Sequence, residues 1–109
     1  MIRALTLGLA LCAAVPAAAE GNAAELAGSR LRGCLLAGAS AAPQTGLREA
    51  VISVRSFCTP QIKRVQGDRV KAATAGLSGE ARKAAEDSAI RALNDEIALA
   101  IANFTGLTI

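Results

Sequence analysis

Leu47, Val51, Val54, Cys58, Ile62 and Val65 recur at steps of 4, 3, 4, 4 and 3 along the middle of the chain. Only an α-helix puts residues so spaced on one face. The stripe keeps its phase across Pro60, although proline inside a helix removes a hydrogen bond and clashes with the preceding turn. Two geometries fit. One helix over 46–75 kinks at Pro60, or Thr59 caps a new helix with Pro60 at its first position. The unbroken phase favours the kink. The flanking sequence also reads as helix. Alanine, the best helix former, dominates it. The only aromatic residues are Phe57 and Phe104, so the β-branched and aromatic residues that strands favour are sparse.

Two further helices emerge from the same reasoning. Asn22 is placed to cap a helix over 23–37, with Ala24, Ala27, Leu31, Cys34, Leu35 and Gly38 on one face. Gly28 and Gly33 either weaken that helix or let a neighbour approach closely. Residues 38–46, with Pro43 and Gly46, form the first loop, and Thr45 is suited to cap the helix over 46–75. Ser78 then caps a last helix over 79–103, whose apolar face is Ala85, Ala89, Leu93, Ile97, Ala100, Ile101 and Phe104, widened by Ile90. Gly106 suits the C-terminal stop. The expected fold is an all-α, three-helix bundle.

The N-terminus has a different logic. Arg3 is followed by the apolar run Ala4 to Val15, then Pro16 and the small residues Ala17-Ala18-Ala19. That is the order of a secretory signal peptide over 1–19, cleaved after Ala19. The run is too short and too broken by proline for a membrane span, which needs about 20 apolar residues. Leu11 before Cys12 makes a poor lipidation site. Removing the leader leaves a single domain over 20–109 with two cysteines, Cys34 and Cys58. Export leads to an oxidising compartment, periplasmic or extracellular, where an even pair of cysteines forms a disulfide. Closing a loop of about 25 residues is worth roughly 3.5 kcal/mol.

The chemistry this composition permits is narrow. There is no histidine, so no Ser-His-Asp or Cys-His arrangement can form. C-x-x-C is absent, and the Cys34–Cys58 spacing is not that of a zinc knuckle. No cofactor, metal or catalytic residue is expected, and the chain reads as a non-enzyme. Glu86, Asp87, Asp95 and Glu96 lie among arginines and a lysine and read as a solvated helix face. Asn103-Phe104-Thr105 matches a glycosylation sequon. The short alanine-rich leader points to a bacterial source, where that match carries little meaning.

Charge is unevenly spread. Losing Arg3 leaves 11 basic against 9 acidic residues, a net of +2, too little to imply a nucleic-acid partner. Residues 48–71 are nonetheless mostly basic, and residues 80–96 mostly acidic. Complementary flanks on two antiparallel helices explain that pattern most simply. Lys63, Arg64, Arg69 and Lys71 are the candidate surface for an anionic partner, lipid or polyanion. No aromatic residues are interleaved for base stacking.

The run Leu31-Arg-Gly-Cys34, the Pro43 loop, Leu47-Arg-Glu-Ala-Val51 and Phe57-Cys58-Thr-Pro-Gln61 resembles a loose class of small secreted helical proteins of Gram-negative bacteria. Its members carry a signal peptide and two cysteines on successive helices. The resemblance implies an envelope location and a disulfide, and it carries no active-site residues. The functional expectation is an exported, non-enzymatic component that binds an envelope partner, with homo-oligomerisation through alanine-rich faces as a further possibility. The alternative is association with a membrane surface or polyanion through the basic helix.

Overall fold

The computed structural model describes residues 2–108, with side chains from Asn22 to Thr108. The side chains of the expected leader, including those at the cleavage position after Ala19, lie outside the described residues. The described chain is all-helical: α1 (Ile2–Ala41), α2 (Leu47–Phe57), α3 (Thr59–Thr74) and α4 (Gly79–Thr105). Four helices stand where three were expected, and the first extends past its expected bounds at both ends.

Asn22 caps nothing, because α1 runs through it. Alanines precede Glu20 and follow Asn22, and no proline interrupts Ala17 to Ala41, so nothing in the sequence forces a break there. The far end passes position 37 and stops at Ala41. Pro43 sets that limit by pushing the residue before it out of the helical region. Gln44 then donates to the Ala42 carbonyl at 3.1 Å. The N-cap of α2 is Gly46 rather than Thr45.

Pro60 coincides with a break and not a kink. Cys58, at φ −102° and ψ 17°, ends α2 and serves as the N-cap of α3. Thr59 is therefore inside α3, one position later than a capping role would place it. Its hydroxyl turns back and donates to the carbonyls of Arg55 and Ser56 at 3.0 and 3.1 Å. The reason is visible in the ladder. In a continuous helix the Ser56 carbonyl would accept from residue 60, and proline has no N–H to give. The stripe survives because only one residue leaves helical geometry. Leu47, Val54, Cys58, Ile62 and Val65 are buried, with Ala50 beside them and Val51 half-buried.

α4 begins after Ser78, which is extended at the N-cap but makes no side-chain capping bond. It ends at Thr105, where Gly106 takes a left-handed φ of 72° and its N–H bonds the Ala102 carbonyl at 2.8 Å. Leu93, Ile97 and Ile101 are buried. Ala85, Ala89, Ile90 and Ala100 are half-buried, and Phe104 is on the surface.

α1 packs against all three other helices, and α3 packs most extensively on α4. The core is aliphatic: Ala27, Leu31, Leu35, Ala39 and Ala42 from α1 and its end meet the stripe of α2 and α3 and the three large residues of α4. Ala24, assigned to the core face of the first helix, is exposed. Gly28 and Gly33 approach nothing: a Cβ at either would have no neighbour within 4 Å. Gly38 is the glycine that permits close contact, since a Cβ there would meet Val54 and Phe57 side-chain atoms at 3.1 Å. Near it, Cys34 and Cys58 stand at disulfide distance with Cα atoms 5.9 Å apart, joining α1 to the α2–α3 junction.

Candidate functional site

Helical phase separates the four basic residues that sequence grouped together. Lys63 lines a shallow cavity with Arg55, Ser56 and Thr59. Arg69 points to α4 and forms a two-pronged ion pair with Glu96, one arm of which is Nη2 to Oε1 at 3.2 Å. Arg64 and Lys71, seven residues apart and so on one face of α3, turn toward α1. Nothing in a linear count of charges distinguishes these three directions.

The Arg69–Glu96 pair realises the expected match between the basic and acidic arms. Hydrogen bonding to Arg69 holds the Glu96 carboxyl below its ordinary pKa; the arginine's charge adds to this, and partial burial opposes it. The same hydrogen bond holds the Arg69 guanidinium above its ordinary value. Both side chains are about half exposed, which keeps such a pair to at most ~1 kcal/mol. Arg69 lies near the end of α3, whereas Glu96 lies well along α4. The first turns of α4 therefore run beyond the packed region, and residues 79–84 are all exposed.

Arg64 and Lys71 belong to a trough between α1 and α3. One part, of about 320 Å³, is lined by Ala23, Leu26, Ala27, Arg30, Pro60, Gln61 and Arg64. The adjoining part, of about 470 Å³, is lined by Ala23, Ala24, Arg64, Asp68, Lys71, Ala72 and Ala75. Ala23 and Arg64 border both, so the two lie side by side. The apolar lining is Leu26, Pro60 and alanines, of which Ala27 alone is buried. The rim carries three cations, Arg30, Arg64 and Lys71, against the single carboxylate Asp68. Asp68 reaches Arg64 only at 3.7 Å, in an exposed i,i+4 pair, and leaves that guanidinium largely uncompensated. Sequence reasoning did not include Arg30 in the site because it lies on another helix, and only packing brings it to the trough.

A second concavity lies between α2 and the end of α4, lined by Leu47, Val51, Ile52 and Ala98 with Arg48 and Glu49 at its edge. It is apolar and open. Among the described residues no group of three His, Cys, Asp or Glu side chains is placed to hold a metal ion, and no helix is long and apolar enough to cross a membrane. No protein-family model, curated protein or solved structure matches this chain.

Proposed function

We propose that this chain is an exported, non-enzymatic helical protein of the bacterial envelope, periplasmic or secreted, that acts by binding another envelope component. The observation that carries the reading is the combination of a leader-like N-terminus with two cysteines set at disulfide distance. A structural disulfide persists where the compartment is oxidising, and the leader is the route to such a compartment. Removal of residues 1–19 would leave α1 beginning at Glu20, about two turns before Ala27, the first buried position among its described side chains. Binding rather than catalysis fits a surface whose concavities offer charge and apolar area but no histidine.

The test is direct. Expressed with a C-terminal tag, the protein should be recovered from the envelope or medium, begin at Glu20, and carry Cys34 joined to Cys58. Recovery from the cytoplasm with Met1 intact and both thiols free would overturn the reading. A second reading, association with a membrane surface or a polyanion through the basic helix, is favoured by the presence of Arg64 and Lys71 on the same trough as Arg30. Co-sedimentation with anionic vesicles at low and high salt separates it from binding to a protein partner.

A further inference from the structure

We infer that the trough between α1 and α3 binds a single anionic amphiphile, a carboxylate or phosphate head on one alkyl chain. The inference deepens the binding reading above and rests on it only for the compartment in which the ligand is met. Three features define the ligand. The two neighbouring concavities, each within the size range of small-molecule sites, share a border at Ala23 and Arg64, so a ligand longer than either can reach from one to the other. The lining alanines Ala23, Ala24, Ala27, Ala72 and Ala75 present methyl groups, so the body of the ligand must be apolar along its length.

The third feature is charge. Arg30 and Arg64 come from different helices and line one apolar concavity. Cations of one sign on low-dielectric walls focus a positive potential into the space between them. A head group seated there accepts charge-assisted hydrogen bonds from two planar guanidinium groups, the geometry best suited to carboxylate and phosphate. Lys71 extends the positive rim along the adjoining cavity. A polyanion fits less well, because its successive charges would lie over the lining methyl groups. A bilayer also fits less well. Surface docking needs protruding apolar anchors, and Leu26, 49% exposed, is the only large apolar side chain on this trough's lining that stands out.

The test uses the protein as recovered from cells and follows alanine methyl NMR signals during titration with dodecyl phosphate below its micelle concentration. Saturable shifts at Ala24, Ala27 and Ala72 are expected, weakening as salt screens the head group. Arg30→Gln with Arg64→Gln should weaken binding by roughly tenfold or more, as loss of charge-assisted hydrogen bonds implies. Ala72→Leu, at an exposed helical position that tolerates leucine, should also weaken it by filling the space. Lys63→Gln, on another side of α3, should leave it unchanged.

Equal binding of neutral dodecyl maltoside would overturn the proposal, as would equal binding of inorganic phosphate alone. So would binding only to phosphatidylglycerol vesicles, or no effect of the double arginine variant. Failure of dodecyl phosphate to bind, with processing to Glu20 and the disulfide intact, would remove this site and leave the envelope reading standing.

Discussion

Breaking the link between Cys34 and Cys58 is expected to remove roughly a third to two thirds of the stability of this domain. The two residues are 24 apart in sequence. Constraining a loop of that length in the unfolded chain is worth about 3.5 kcal/mol in the chain-entropy account. Cys58 is fully buried, so replacing it by alanine adds a small-cavity cost of about 1 kcal/mol. Reduction of the wild-type protein keeps both sulfurs in place and tests the loop contribution alone. Cys34→Ala with Cys58→Ala tests the sum, about 4.5 kcal/mol. Domains of this size have a total stability on the order of 5–10 kcal/mol, so the double variant should sit close to unfolding at 25 °C.

Urea denaturation followed by helical circular dichroism measures both effects. With a slope of roughly 1 kcal/mol per molar urea for a small protein, reduction should move the midpoint by about 3 M. The variant should unfold at lower urea than the reduced wild type. A shift below 1 M on reduction would refute the loop argument. Equal midpoints for reduced wild type and variant would refute the packing argument and leave the loop argument intact. Alkylation of both cysteines in unreduced protein would remove the premise.

Gly33 and Gly38, on either side of Cys34, should respond differently to alanine. Gly33→Ala, with open space at its Cβ, is expected to stabilise by about 0.5–1 kcal/mol through helix propensity, whereas Gly38→Ala should show no such gain, because its Cβ would press on Val54 and Phe57 at 3.1 Å; urea midpoints of the two variants decide this. Thr59→Val should cost up to about 1 kcal/mol by leaving the Arg55 and Ser56 carbonyls without the hydroxyl donor, and an unchanged midpoint would show that water serves them equally well. Because the folded-state pKa of Glu96 is depressed, the stability it contributes is present above its unfolded pKa and lost as pH falls through the folded value. Glu96→Gln should thus flatten the acid limb of stability against pH by no more than ~1 kcal/mol and leave neutral-pH m-values unchanged.

The stripe from Leu47 to Val65 was legible because burial on one face is a local, periodic property, and a one-residue break does not change its phase. The position of the break was not legible, since a kinked and a broken helix share the same pattern. The distinction lies in the φ and ψ of Cys58 and in where the Thr59 hydroxyl turns. The start of α1 was not legible either, because Asn22 is an acceptable cap that nothing compels the chain to use. The site was half legible. Arg64 and Lys71 belong to it, yet sequence proximity grouped Lys63 and Arg69 with them, when the 3.6-residue period sends all three directions apart. Arg30 could have been found only by knowing which face of α1 meets α3.

The same junction that the cysteine pair anchors also shapes the trough. Pro60 and Gln61 line it two and three residues after Cys58, and Arg30 lies one helical turn before Cys34. A bridge there would fix the separation of α1 and α3 beside the two arginines that line the trough. The core supplies little lateral rigidity at that point, because Ala23 and Ala24 are exposed and Ala27 is the first buried residue among the described side chains of α1. For the proposed ligand the gain would be preorganisation: the helices that carry Arg30 and Arg64 would already be held together and would not have to be drawn together on binding.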